Sequence, residues 1–302
     1  MRVAILAPGR IAVIMLAVVG GFISGSLITP SHSVAAASSA STGLNLSPLK
    51  TEFSITPGTS HTGTLTITNG TQAAMKVDFS AESFSVINQQ YDYAFDTASA
   101  LSKWVTFDKQ SVTLEKNQRQ TVNYTVGAPL SAEPGGRYIS LFASTDSTEA
   151  SGISTRQRVG SLLYINVTGD VSRIGSLSSL TSPLLITDHT QWAMTLQNSG
   201  TTHFRSRYTV AVKNWITGAT VAGMSGESLI LPNTIRTVLN TLPIPKLPGI
   251  YTVEYNIGLG DTPSVQETHL LIYAPLPSLL VLASIIMILA LFTTRRRKHK
   301  KS

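Results

Sequence analysis

Apolar and polar residues alternate with a period of two over most of this chain, and this pattern constrains the fold more than any other feature. In Thr64–Thr68 both apolar side chains fall on one face, and Asn69-Gly70 follows as a turn signal. The segment Val122–Val126 repeats the alternation, and no helical spacing is sustained between residues 42 and 273. Short half-buried strands separated by turns predict antiparallel β-sandwiches.

Three sequence patterns occur twice in the same order, which predicts two copies of one fold. They are TLTITNGT at 64–71 and TLQNSGT at 195–201, LEKNQRQTVN at 114–123 and LPNTIRTVLN at 231–240, and PGGRY at 134–138 and PGIY at 248–251. The predicted fold class is all-β, with two tandem immunoglobulin-like β-sandwich domains at 38–168 and 169–273. The boundary falls near Gly169, where the connection is too short for a flexible linker.

The two ends of the chain predict a membrane topology. Leu276–Phe292 is uncharged and would span about 26 Å as a helix, and a basic cluster, Arg295–Lys301, follows it. We therefore expect a transmembrane helix at 274–294 and a basic cytoplasmic tail at 295–302.

At the other end, the apolar run Ile11–Ile28 precedes the small residues Ser33–Ala37, which predicts a signal peptide over 1–37. An uncleaved signal anchor is the alternative. Either way the expected localisation is a single-pass plasma-membrane protein with an extracellular ectodomain.

The charge distribution argues against nucleic acid as a partner. Two of the 23 Lys and Arg residues lie in the leader and six in the tail, which leaves 15 in the ectodomain against all 16 Asp and Glu. The ectodomain therefore carries a formal charge of −1, and the basicity of the whole chain is a topology signal.

The residues that carry chemistry are scarce, which predicts a protein that is not an enzyme and holds no cofactor or metal. Cysteine is absent, so thiol nucleophiles and disulfides are excluded. His61, His189, His203 and His269 show no metal-ligand spacing, and the carboxylates form no calcium-binding loop. A glycosidase needs a pair of carboxylates across a cleft, and sequence spacing does not test that arrangement.

Aromatic residues supply the candidate binding positions. Tyr91 and Tyr93 lie in the polar segment NQQYDY, where exposed phenol rings could grip a saccharide or a protein, although local packing at a strand edge is the alternative. Trp215 follows Asn214 in a strand-to-turn region and is a third candidate. Trp104 and Trp192 continue apolar or alternating stretches, and we interpret both as core residues.

Several of these segments resemble the WxL-interacting proteins of Gram-positive bacteria. The matching segments are Leu46-Ser47-Pro48, Thr56-Pro57-Gly58, Trp104–Phe107 and Glu133–Tyr138 in the first domain, and Leu196–His203 and Leu231–Arg236 in the second. The resemblance covers most of residues 44–294. It implies a first module similar to those linked to peptidoglycan binding and a second similar to those that contact WxL proteins or host components.

The expected function is accordingly non-catalytic binding at the bacterial cell surface. The expected partner is peptidoglycan or another cell-surface protein such as a WxL protein, with membrane attachment through one helix and no nucleic acid. Two alternatives stay open at this stage: a structural spacer or scaffold that presents a partner outside the membrane, and a wall-active hydrolase.

Overall fold

The computed structural model of the chain describes residues 43–145, 148–150 and 153–299, and the predicted signal peptide at 1–37 lies outside them. The described residues belong to one compact unit that spans 41–302. Within this unit the strands form two β-sandwiches, one after the other along the chain.

The first sandwich packs a four-stranded sheet, in the order β1-β3-β8-β6, against a larger sheet in the order β2-β12-β9-β4-β5. Strand β7 pairs with the start of β4, and β2 is parallel to β12. Its elements are β1 (Leu44–Ser47), β2 (Lys50–Ile55), β3 (Ser60–Asn69), β4 (Met75–Val86), β5 (Tyr93–Asp96), a 3-10 helix (Ala100–Trp104), β6 (Val105–Phe107), β7 (Ser111–Leu114), β8 (Arg119–Gly127), β9 (Gly135–Thr145), the hairpin β10 (Thr148–Ala150) and β11 (Ile153–Thr155), and β12 (Arg158–Val167).

The second sandwich packs a three-stranded sheet, β13-β15-β18, against a five-stranded sheet in the order β14-β20-β19-β16-β17. Its strands are β13 (Gly175–Thr181), β14 (Leu185–Ile186), β15 (Gln191–Asn198), β16 (Phe204–Asn214), β17 (Thr220–Ile230), β18 (Thr234–Thr241), β19 (Gly249–Leu259) and β20 (Thr262–Tyr273). All pairs in these two sheets are antiparallel except β14 with β20. The predicted all-β, two-domain immunoglobulin-like fold is confirmed.

Each sandwich has its own core, built from the apolar faces that the alternation predicted. Leu65 and Ile67 are fully buried in the first core, together with Tyr124 at 2% exposure. Trp192 is buried in the second core at 1% exposure, and Trp104 is partly buried against the first, so both predictions of a core tryptophan are confirmed.

The repeated Asn-Gly and Asn-Ser-Gly signals have a structural reason, because each asparagine is fully buried at a strand end. The amide of Asn69 donates to the carbonyls of Ala73 and Leu114 at 2.8 and 3.1 Å. The amide of Asn198 donates to those of Thr202 and Ile230 at 2.9 and 3.0 Å. Buried backbone carbonyls need such partners, so the same residue type recurs at the corresponding turn of each sandwich.

The apolar C-terminal segment forms a helix, α1 (Leu276–His299). Over the part of the chain that the structure describes, however, no helix combines the length and the apolar character that a bilayer crossing requires. The predicted transmembrane helix at 274–294, and with it the single-pass plasma-membrane topology, is therefore corrected.

Candidate partner-binding site

The two sandwiches meet through a charged and aromatic contact centred on Glu52 of β2. His203, which directly precedes β16, places Nε2 3.2 Å from the Glu52 carboxylate and Nδ1 3.2 Å from the Tyr138 hydroxyl. The Arg205 guanidinium also contacts Glu52, and it donates to Glu227 of β17 at 2.9 Å. One carboxylate of the first sandwich is thus held by two side chains of the second.

Burial sets the protonation of this contact. The His203 side chain is 4% exposed, and burial lowers its pKa, an effect that Glu52 only partly opposes. Burial would raise the pKa of Glu52, but the hydrogen bond and positive charge of Arg205, with the contribution of His203, lower it overall. Burial also raises the pKa of Tyr138 and Tyr164. The contact therefore favours neutral phenols, an ionised carboxylate and a neutral imidazole.

Aromatic rings surround His203 on the first sandwich. Its ring lies 5.6 Å from Tyr138 and 5.8 Å from Tyr164, both edge-on. Phe84 contacts the same two tyrosines, and Leu229 and Leu231 of the second sandwich are buried in this cluster. The rings therefore serve the contact between the sandwiches.

Tyr91, one of the three predicted binding residues, belongs to this junction and is only 7% exposed. Its hydroxyl accepts from the Leu231 amide at 2.8 Å and lies 2.7 Å from Thr234 Oγ1. Arg236 stacks over its ring at 4.4 Å. The exposed position expected for Tyr91 is wrong, because the loop before β5 folds onto the second sandwich.

The loop that carries Tyr91 adds a second link to the same strand. The Thr237 amide donates to the Gln89 carbonyl at 2.9 Å, and the Thr237 hydroxyl donates to the Gln89 side chain at 2.9 Å. Tyr91 adopts a left-handed φ of +69° in this loop, which is uncommon for a bulky residue. The contacts between the sandwiches therefore include β2 with β16, this loop with β18, and the Gly136 amide, which donates to the Thr201 carbonyl at 3.0 Å.

Tyr93 and Trp215 keep exposed surface, but the fold holds them apart. Tyr93 is 40% exposed at the edge strand β5, packed edge-on against Phe84 at 5.3 Å. Trp215 is 61% exposed in the turn after β16, beside Ile216 and Ile250. The eleven residues of β16 separate this turn from the junction by about 35 Å. A binding role for either residue stays a prediction.

An open cleft of about 610 Å³ lies at the junction, lined by Glu52, Asn166, Arg173, His203, Arg205 and Asp261 among others. Glu52 pairs with Arg205, and Asp261 accepts from the Arg173 amide at 3.0 Å. No group of His, Asp and Glu among the described residues could hold a metal ion. Among the lining side chains, Glu52, His203 and Arg205 form the contact that joins the sandwiches.

The outer edge of β20 in the second sandwich is largely unpaired. The short β14 pairs only with Ile272 and Tyr273, so no described strand covers residues 262–270 on that side. The Ile272 amide donates outward to Leu184 at 2.7 Å, and the β19–β20 register is regular back to Val265. Because backbone direction alternates, Gln266, Thr268 and Leu270 also direct their N–H and C=O groups outward.

Strand β13 forms the other side of this edge. It is the edge strand of the opposite sheet, and the Tyr255 hydroxyl beneath β20 donates to Ser182, just after β13, at 2.8 Å. Leu177, Leu180 and Val265 are partly buried here against the second core. Residues 262–271, together with β13, are called the β20 groove below.

Sequence reasoning found neither the β20 groove nor the Glu52–His203–Arg205 junction. Alternation predicts strands, but pairing order decides which strand is an edge. Strand β14 pairs with only the last two residues of β20, and it lies about 80 residues earlier in the chain. His203 and Glu52 are 151 positions apart, so no local spacing could have indicated their contact.

Comparison with known proteins gives similarity of fold only. No protein-family model and no curated protein matches the chain. Among solved structures, it is similar to a chaperone–tip adhesin complex of CFA/I fimbriae, with 9% identity over 75% of this chain and 98% of that chain and a TM-score of 0.41. The CsuC–CsuE chaperone–tip subunit complex of Acinetobacter baumannii follows at 11% identity, 76% and 98% coverage and a TM-score of 0.38. The SafA pilin–SafB chaperone complex of Salmonella enterica has 11% identity, 76% and 96% coverage and a TM-score of 0.37.

These findings correct the resemblance to WxL-interacting proteins, because the similar structures are fimbrial chaperones and no family model matches. The expected role as a membrane-anchored, peptidoglycan-binding surface protein is corrected with it.

Proposed function

We propose that this chain is a non-catalytic protein that binds an extended segment of another protein along β20. The observation that carries this proposal is the unpaired edge over residues 262–270. Outward N–H and C=O groups form regular hydrogen bonds only with another extended backbone, so the edge selects a strand. The regular part of this edge, Val265–Leu270, gives a contact of about 20 Å.

Several other edges of the described sheets are less suitable. Strands β1, β5 and β6 have only three or four residues. The β18 edge already uses the Thr237 amide in its bond to Gln89, and the Leu229 carbonyl at the β17 edge accepts from Arg236 at 2.7 Å. Strand β13 contains a register shift after Leu177. The β20 edge is longer than the first three and regular from Val265 onward.

Thr268→Pro tests the proposal on the full-length protein. Proline removes one outward N–H that has no described partner, so an edge strand should tolerate it, yet an incoming strand loses a hydrogen bond and meets the ring. Thr268→Ala is the matched control, because it changes the side chain and keeps the N–H. Each form is immobilised and exposed to an extract of the native cells.

The proposal expects partner proteins that are captured by the wild type and by Thr268→Ala but are lost with Thr268→Pro. Thermal unfolding of the three forms checks that the fold is retained. Equal capture by Thr268→Pro and Thr268→Ala, with both variants folded, would show that the β20 edge is not the binding site.

A further inference from the structure

The inward face of β20 carries a distinctive chemical pattern. Odd-numbered residues face the core side of the groove: Leu271 is fully buried, and Val265, Glu267 and His269 are partly buried. From Val265 to Leu271, the four core-facing side chains are therefore an apolar group, a carboxylate, an imidazole and a second apolar group. A strand added to β20 would place its own inward side chains opposite these positions.

Glu267 is the unusual member of this row, because it places a carboxylate on the core-facing side of an edge strand. Its carboxylate lies 3.1 Å from His269 Nε2, and the two side chains are 40% and 33% exposed. His269 in turn packs edge-on against the buried Tyr255 at 5.7 Å. A carboxylate offers about four acceptor sites, and the single His269 nitrogen occupies one of them.

The rest of the groove offers no positive charge to complete this pair. Strand β13 has the sequence GSLSSLT and contains no charged residue. On the apolar side, Leu177, Leu180 and Val265 present partly buried surface. The groove therefore combines one carboxylate, with no lysine or arginine beside it in residues 262–271 or β13, and apolar positions next to it.

We infer that the segment bound by β20 carries a lysine or arginine whose side chain faces Glu267, with an apolar residue two positions away facing Val265. This inference rests on the proposed function, because it describes the occupant of the same edge. The cation would form an opposite-charge cross-strand pair with the Glu267 carboxylate, and the apolar residue would extend the second core. The same carboxylate disfavours pairing between two copies of β20, since each would bring an acidic group to the shared edge.

Synthetic peptides test this inference against the full-length protein. Three nonapeptides carry threonine at the even positions, which face outward, and valine at positions 3 and 7, which face inward. They differ only at the inward position 5, which is lysine, norleucine or glutamate. Binding is measured by fluorescence anisotropy to the wild type, Glu267→Gln and Thr268→Pro. Glu267→Gln keeps the size and the hydrogen-bonding ability of the side chain and removes only its charge.

The expected result is that the lysine peptide binds the wild type roughly three- to tenfold more tightly than the norleucine peptide, with the glutamate peptide weakest. Glu267→Gln should abolish the lysine advantage, and Thr268→Pro should weaken all three peptides.

Two results separate the claims. If lysine and norleucine peptides bind equally and Thr268→Pro weakens both, the charge preference is wrong and the proposed edge stands. If Thr268→Pro leaves peptide binding unchanged, both the inference and the proposed function are overturned. If no peptide binds the wild type, the inference alone is overturned.

Discussion

At the scale of single residues, Tyr91 was predicted to be an exposed binding residue, but its side chain is buried in the contact between the two sandwiches. The polarity of NQQYDY indicates an exposed loop, and most of its residues are exposed. The tyrosine is buried because its hydroxyl meets the Leu231 amide and Thr234, which lie at least 140 positions away. Local sequence contains no signal of such a distant partner.

Tyr91→Phe should destabilise the junction by about 1–3 kcal/mol, because the Leu231 amide loses its hydrogen-bond acceptor in a buried position. Chemical denaturation of the full-length protein gives the change in unfolding free energy. Tyr93→Phe is the control, since the Tyr93 hydroxyl makes only a 3.3 Å contact on a side chain that is 40% exposed. Equal losses for the two variants would contradict the role assigned to Tyr91.

His203 predicts a pH dependence of stability. Burial lowers its pKa from the ordinary 6.5, so the folded protein takes up the proton less readily than the unfolded chain does. Stability should therefore be highest above about 6.5 and should fall as the pH decreases from there toward the lowered pKa. His203→Gln should flatten the profile in this window, as measured by thermal unfolding against pH.

Glu52 acts in a lower window, because its pKa is lowered from the ordinary 4.5 and its contribution is lost only as the pH falls below that value. The exposed His189 is the control for His203. If His189→Gln flattened the profile just below 6.5 as much as His203→Gln, burial of His203 would not be its cause.

At the scale of elements, period-two alternation was sufficient to predict strands and their buried faces. It works because one face of each strand in a sandwich meets a core, as for Leu65 and Ile67 of β3. Strand order is a different matter, since β20 lies between β19, its neighbour along the chain, and the distant β14. The edge that carries the proposed function could therefore not be predicted from the sequence.

The C-terminal apolar run was predicted to be a helix, and it is helical in α1. The structure corrects its interpretation as a bilayer crossing, because no described helix is both long enough and apolar enough to cross a membrane. The hydrophobic run therefore predicted a helix correctly, but the predicted bilayer crossing was wrong.

The buried asparagines give a prediction at this scale. Asn198→Ala should cost about 2–4 kcal/mol, because the Thr202 and Ile230 carbonyls lose their donor inside the protein. Denaturant unfolding provides the measurement, with the half-exposed Asn240→Ala as the control. A loss below that of Asn240→Ala would contradict the view that this repeated residue organises the turn.

At the scale of the whole molecule, the two sandwiches are joined by the Glu52–Arg205–Glu227 contacts and by the Gln89–Tyr91 loop. The resemblance to WxL-interacting proteins misled because it used residues that a sandwich of this kind needs for structural reasons. Gly58 adopts φ +80° in a turn, and Asn69 anchors another. Such positions indicate a fold and carry little information about a partner.

Arg205→Met should loosen the junction by removing the guanidinium that contacts Glu52 and Glu227. Trypsin cleavage after Arg173, between the sandwiches, should accelerate by roughly three- to tenfold. Arg207→Met is the control, because that side chain is 83% exposed and lies 3.9 Å from Glu227. Equal cleavage rates for the two variants would contradict the bridging role of Arg205.

The central claim, that β20 receives a partner's strand, is tested most directly by residue-resolved amide exchange of the free and partner-bound protein. In the free protein, the amides of Gln266, Thr268 and Leu270 should exchange fast, while those of Glu267, His269 and Leu271 are protected by β19. Partner binding should protect the first three as well. A bound partner that leaves those three amides exchanging at their free rates would contradict the account.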